Sequence, residues 1–148
     1  MLQRCYDIKL HNKYPTYKGC RVSDEWLSFG NFANWFDENY VEGWQIDKDI
    51  LGDGKLYSPE TCCFVPHKIN NLLHDNKAKK RDSTPIGVKL QDSRYRVQIG
   101  NSRKHIGYFS TPQQAETAYK KAKKEYVMGE INKCLLQENI KTAILSAL

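Results

Sequence analysis

The sequence predicts an α+β protein built from two small modules, and three features of the residue pattern carry this prediction. Residues 22–40 place apolar side chains every three or four positions, which is typical of an amphipathic helix. Residues 44–51 and 94–99 alternate apolar with polar side chains, which is typical of β-strands. Residues 74–85, "HDNKAKKRDSTP", are polar and lack bulky apolar side chains, as a linker does. The predicted domains are residues 1–75 and 86–148, with a linker at 76–85.

The composition is that of an ordinary globular protein, with 40% hydrophobic and 27% charged residues. No window of about 18 apolar residues occurs, so no membrane span is expected. The opening residues, "MLQRCYDIKL", lack the apolar run of a signal peptide. The five cysteines are an odd number and form no Cys-x-x-Cys pair. We therefore expect an intracellular protein with reduced thiols and no structural zinc.

The charge of the chain is concentrated in its second half. The net charge is +6, yet residues 1–75 carry 8 Lys and Arg against 11 Asp and Glu. Residues 76–148 carry 15 against 6. The second half is therefore the better candidate for contact with a polyanion such as DNA, the alternative being a surface that only confers solubility.

The N-terminal module is predicted to run helix, β-hairpin, helix. A helix is expected from about Ser28 to Asn39, capped by Asp24 or Ser28, with its aromatic stripe in the core. "WQIDKDIL" then predicts a strand, "GDG" a tight turn and "KLY" the start of the return strand. "VPHKINNLL", residues 65–73, predicts a short second helix.

Polar residues in this segment have the chemistry of a metal-dependent nuclease. Asp47 on the strand and Asn70 on the helix would supply oxygen ligands to Mg or Mn. A base that activates water is also required, and His67 is the first candidate and Asp49 the second. The alternatives are that His67 is an exposed first-turn residue and that Asp49 pairs with Lys48.

The stretch "IDKDILGDGKLYSPETCCFVPHKIN" resembles the HNH family, the ββα-metal endonucleases, in the pattern found in bacteriophage homing endonucleases. The resemblance spans roughly residues 3–73. It implies that Asp47 and Asn70 are metal ligands, with Pro59-Glu60 in the family's turn and Val65-Pro66 at its helix start.

Two residues depart from the HNH pattern. Lys48 stands where the family has its general-base His, and a lysine with a pKa near ~10.4 is protonated at pH 7. Thr61 stands where the family has a structural Asn, so a looser turn is expected. If Lys48 is the residue in the catalytic position, the resemblance implies weak or absent cleavage.

The C-terminal module predicts a three-stranded antiparallel sheet packed on one helix. "GVKL", "RYRVQI" and "RKHIGYF" are the strands, with Gly107 permitting close packing. Thr111 caps the following helix, with Pro112 at its first position and a core stripe beginning at Ala115. The tail at residues 129–148 predicts a C-terminal helix, broken near Glu138-Asn139. The outer sheet face is expected to carry Arg and Gln, which suits DNA.

Residues 86–127 resemble the ethylene-response-factor (apetala-type) DNA-binding domain. The matching segments are Gly87-Val88, Tyr95–Ile99, Ile106–Thr111 and Ala115–Tyr119. That family lays its sheet in the major groove of double-stranded DNA through basic residues. By position, the DNA-binding residues would be Lys89, Arg94, Arg96, Gln98, Arg103 and His105.

Together, the two resemblances predict a DNA-binding protein of the phage HNH endonuclease family, located in the host cytoplasm if phage-encoded. One alternative is an active nickase whose general base has moved to another residue. A second is a protein-binding phage inhibitor that uses the HNH-like scaffold.

Overall fold

The computed structural model describes residues 1–74, 84–100 and 103–148. They form two compact units, Met1–Pro66 and His67–Leu148, which we call unit 1 and unit 2. Most of the predicted linker at 76–85 lies outside the described residues, as does part of the predicted turn at 100–102. In the described ranges, no helix has the length and apolar character needed to cross a membrane. The mixture of helices and strands confirms the α+β class.

Unit 1 is made of short elements. Its helices are α1 (Leu2–Tyr6), α2 (Ile8–Lys13), α3 (Asp24–Leu27) and α4 (Phe29–Asn39). Its strands are β1 (Arg21–Val22), β2 (Trp44–Asp47), β3 (Leu56–Tyr57) and β4 (Cys63–Pro66).

Helix α4 is the predicted aromatic helix, but only part of its aromatic stripe meets the core: Phe32 and Trp35 pack against the core cluster of unit 1, whereas Phe29 is 81% exposed. Trp35 stacks on Phe64 of β4 with 5.6 Å between ring centroids, and Phe36 meets the same ring edge-on at 5.4 Å. Ser28 occupies the N-cap position of α4 as predicted, but its side chain makes no cap bond, and Asp24 lies in the separate turn α3. Ser23 caps the separate turn α3 instead, accepting from the backbone N–H of Trp26.

The predicted return strand of the hairpin is also wrong. Strand β2 pairs antiparallel with β4, placing Asp47 opposite Cys63. Strand β3, which contains the "LY" of the predicted return strand, pairs in parallel with β1. Burial explains the difference, because Tyr57 of β3 is only 3% exposed and packs with Trp26 in the core cluster of unit 1. The chain between β2 and β4 is therefore a long connection rather than a tight turn.

Unit 2 contains the predicted sheet and its helices. Its strands are β5 (Val88–Gln91), β6 (Arg94–Ile99) and β7 (Lys104–Phe109), in the antiparallel order β5-β6-β7. Its helices are α5 (His67–His74), α6 (Pro112–Ile131) and α7 (Glu138–Ser146). This confirms the predicted three-stranded sheet and C-terminal helix, and the Oγ1 of Thr111 caps α6 as expected.

The core of unit 2 lies between the sheet and α6. Val97 and Ile99 of β6 are buried, as are Ala115, Tyr119 and Val127 of α6. The tail packs back within this unit, with Ile144 of α7 fully buried. The helix break falls at residues 132–137, just before the predicted position. The sheet therefore has one covered face, which leaves the other face for contact with a ligand.

The glycine that permits close packing is Gly87 rather than Gly107. A Cβ built on Gly87 would lie 2.1 Å from the ring of Tyr119, and Gly87 has a φ of +73°. At Gly107 the nearest atom would be 3.4 Å away, an ordinary contact. The backbone just before β5 therefore approaches α6 closely at Gly87 only because no side chain intervenes.

Replacing Gly87 with Ala should lower the free energy of unfolding by about 2 kcal/mol or more, from backbone strain and overpacking together. Urea unfolding of the full chain measures the change. The matched control is Gly129→Ala in α6, where no heavy atom lies within 4 Å of the new methyl group. The control should stabilise the helix by roughly 0.5–1 kcal/mol. Equal effects of the two substitutions would contradict this role for Gly87.

Candidate nucleic-acid interface

The outer face of the β5-β6-β7 sheet is a polar and basic surface set by strand alternation. On β6, Arg94, Arg96 and Gln98 alternate with Tyr95 and the buried Val97 and Ile99. The register places Lys89 of β5 opposite Arg96. One surface therefore carries the cations of adjacent strands, and we call it the basic sheet face. It contains Lys89, Gln91, Arg94, Arg96, Gln98, His105 and Tyr108.

Charge on this surface is almost entirely of one sign. Between Pro85 and Ala115 the sequence has five Lys and Arg residues and a single acid, Asp92. Asp92 and Ser93 form the two-residue turn between β5 and β6, both with positive φ. A surface with this balance favours a polyanionic partner.

Side chains on the basic sheet face contact one another. The Nη1 of Arg96 donates to the Oε1 of Gln91 at 3.5 Å. The Nε2 of Gln98 donates to the backbone O of Arg103 at 3.1 Å. His105 and Tyr108 form a tilted ring pair with centroids 5.0 Å apart. These contacts restrict the orientation of several side chains before any ligand arrives.

Five of the six predicted DNA-binding residues lie on this face, and the sixth, Arg103, lies at its edge. Arg103 is exposed in the turn before β7, with a φ of +49° and its N–H donating to the backbone O of Gly100 at 3.0 Å. The sequence did not single out Gln91 or Tyr108. The strand register reveals them, since Gln91 lies opposite Arg94 and Tyr108 opposite Arg96.

In unit 1, Asp47 organises the turn that follows β2. Its side chain is 6% exposed, and its Oδ1 accepts the backbone N–H groups of Asp49 at 2.7 Å and Ile50 at 2.9 Å. This arrangement gives Asp47 a structural role in the turn. A metal ion would meet a carboxylate of which one oxygen already accepts two hydrogen bonds.

Lys48 forms an ion pair with Asp49 and does not have the properties of a base. Its Nζ donates to the Oδ1 of Asp49 and to the backbone O of Gly54 at 2.6 Å. Burial alone lowers the pKa of Lys48, but the hydrogen bond and charge of Asp49 outweigh it and raise the pKa above its ordinary value. The side chain of Lys48 is therefore held as an ammonium. It donates a hydrogen bond to one carboxylate oxygen of Asp49, the second candidate base.

Thr61 does not loosen the turn that precedes β4, contrary to expectation. Its Oγ1 donates to the backbone O of Leu56 at 2.8 Å and accepts the N–H of Ser58 at 3.2 Å. Ser58 is itself buried, and its Oγ lies 3.1 Å from the Oγ1 of Thr61. The hydroxyl of Thr61 thus closes the turn with bonds of its own.

The remaining predicted site residues belong to helix α5 of unit 2. His67 is exposed at the first position of the helix, with the Nδ2 of Asn71 3.2 Å from its Nε2. Asn70 is 8% exposed. The structure thus brings Asp47, Lys48 and Asp49 together within unit 1 and places His67 and Asn70 within unit 2. A common site for Asp47 and Asn70 stays a prediction.

A cluster of metal-binding side chains would be the clearest sign of a metal site. Within residues 1–74, 84–100 and 103–148, no three His, Cys, Asp or Glu side chains group as such a cluster. Cys62 and Cys63 are buried next to β2, and burial raises the pKa of their thiols to about 11 and about 12. Without a metal ion beside them, such thiols hold their protons at pH 7. An Asp and Asn pair for Mg or Mn stays a prediction.

No family model, curated protein or solved structure matches this chain. The residues and their geometry therefore carry the functional assignment.

Proposed function

We propose that this protein binds double-stranded DNA through the basic sheet face. The observation that carries the proposal is strand β6, whose Arg94, Arg96 and Gln98 face outward while Val97 and Ile99 anchor the strand in the core. Arg and Lys neutralise phosphates, and Arg and Gln read base edges. A narrow antiparallel sheet also has dimensions that fit the major groove.

The rigidity of this surface supports the same proposal. Strand β6 is the central strand, paired with β5 on one side and β7 on the other. Its outward side chains therefore project from a backbone that is hydrogen-bonded on both edges. Binding DNA would require little ordering of the backbone, which favours affinity.

We further propose that cleavage is weak or absent. The HNH-like resemblance puts Lys48 in the position of the general base, and the ion pair with Asp49 keeps Lys48 protonated. The same resemblance implies Asp47 and Asn70 as ligands of a divalent ion, which would supply Lewis-acid chemistry at the phosphate. The side chain of Lys48 would then place a positive charge next to the metal ligand Asp47.

An active nickase is the second candidate function. His67 is exposed at the first position of α5, which is the alternative expected for a histidine that is not the base, so its role as the base stays a prediction. Histidine is a common general base in catalysis. Nicking assays of the unmodified chain and of His67→Ala separate this candidate from the first.

Binding of the full chain to a fluorescent duplex should weaken steeply as salt rises. If about four cations neutralise phosphates, the affinity should fall roughly a hundredfold between about 50 and 200 mM salt. Fluorescence anisotropy titrations at several salt concentrations give this slope. Absence of duplex binding at about 50 mM salt, or binding that is indifferent to salt, would contradict the proposed function.

A further inference from the structure

Gln98 is one of the two amide side chains of the basic sheet face, and a hydrogen bond to the backbone sets the orientation of its amide. The Nε2 donates to the backbone O of Arg103 at 3.1 Å. The opposite orientation would place the Oε1 against that carbonyl, and two acceptors repel each other. The hydrogen bond therefore selects one orientation of the amide. It leaves the second Nε2 hydrogen and the Oε1 for another partner.

The backbone beneath Gln98 is held from both sides. Its N–H donates to the backbone O of Gly87 at 3.1 Å, and the residue pairs with His105 of β7. A β-bulge lies between Val97 and Gln98 in this pairing, and bulges re-aim side chains. The amide thus projects from the best-anchored strand of the sheet.

The geometry points to Gln98 as a residue that reads adenine in the major groove. Adenine presents an acceptor at N7 beside a donor at N6, and an amide matches both at once. The second Nε2 hydrogen of Gln98 would donate to N7, and its Oε1 would accept from N6. This inference rests on the proposed DNA binding by the same face, and it adds a base preference that neutralisation of phosphates does not provide.

The neighbouring residues have other chemistry. Lys89 and Arg94 are exposed cations suited to phosphate, and the Oε1 of Gln91 accepts from Arg96 at 3.5 Å. Gln91 therefore has its acceptor engaged by a side chain of the same face, whereas the Gln98 contact engages a donor. Among the hydrogen bonds of the described residues, the Oε1 of Gln98 accepts none from a cation, whereas the Oε1 of Gln91 does. Gln91 is therefore the matched control.

Selection of bound duplexes from a randomised pool by the full chain tests the inference. We expect one position to favour adenine by about fivefold to hundredfold over the other bases. Gln98→Ala should abolish that preference while most of the affinity remains. Gln98→Glu should shift the preference toward cytosine, whose N4 donates to a carboxylate. Gln91→Ala should leave the adenine preference in place.

The outcomes separate this inference from the proposed function. Binding without any base preference, or an adenine preference that survives Gln98→Ala, would overturn the inference and leave DNA binding standing. Absence of duplex binding by the unmodified chain would overturn both. Loss of the preference in Gln98→Ala with an unchanged melting temperature supports the assignment, because a folding defect would lower that temperature.

Discussion

Replacing Arg94 and Arg96 together with Ala should weaken duplex binding by about 2–4 kcal/mol, roughly 30-fold to several hundredfold. Both side chains lie on the basic sheet face at the central strand. The salt dependence should flatten as well, by about one unit of slope for each phosphate that is no longer neutralised. Anisotropy titrations across a salt series give both quantities.

The matched control removes two positive charges from elsewhere in unit 2. Lys121 and Lys124 are exposed on α6, the helix that covers the opposite face of the sheet. Lys121→Ala with Lys124→Ala changes the net charge equally and should have a much smaller effect on affinity. If the two double variants weaken binding equally, attraction depends on overall charge, and the basic sheet face is not the contact surface. Thermal unfolding of each variant guards against a folding defect, because Arg96 also contacts Gln91.

The unmodified chain should nick supercoiled plasmid very slowly or not at all with Mg or Mn, and Lys48→His should increase the rate. A general base typically contributes about 10²–10⁴-fold, which sets the scale of the expected gain. The substitution removes the ammonium from Asp49 and puts an imidazole at the position that the proposed HNH-like resemblance gives to the general base. The gain requires that a divalent ion binds, so titration with each metal belongs to the same experiment.

Lys48→Gln is the control that removes the charge without supplying a base. If Lys48→Gln and Lys48→His increase nicking equally, relief of the charge is responsible and the base assignment fails.

Robust nicking by the unmodified chain that disappears with His67→Ala would place the base on α5 and favour the second candidate function. A Lys48→His variant that binds metal and DNA yet stays inert would show that activity is absent for another reason. The bonds made by Thr61 make a loose turn a poor explanation of such inertness.

Local patterns in the sequence suffice to predict the C-terminal sheet and helix. Strand alternation in "RYRVQI" assigned Val97 and Ile99 to the core and Arg94, Arg96 and Gln98 to the other face. Thr111 and Pro112 marked the start of α6. These features depend on residues close together in the chain, so local propensity and periodicity suffice to predict them.

Pairings and contacts between residues far apart in the chain depend on the three-dimensional packing, which local patterns do not reveal. Strand β3 pairs with β1, more than 30 residues earlier, because burial of Tyr57 beside Trp26 outweighs the local tendency to close a hairpin. Tyr108 and Gln91 join the basic sheet face through a register that the sequence alone does not specify. The protonated state of Lys48 was predictable from its neighbour Asp49. The contact of Lys48 with the carbonyl of Gly54 was not, because it depends on how the connection between β2 and β4 folds back.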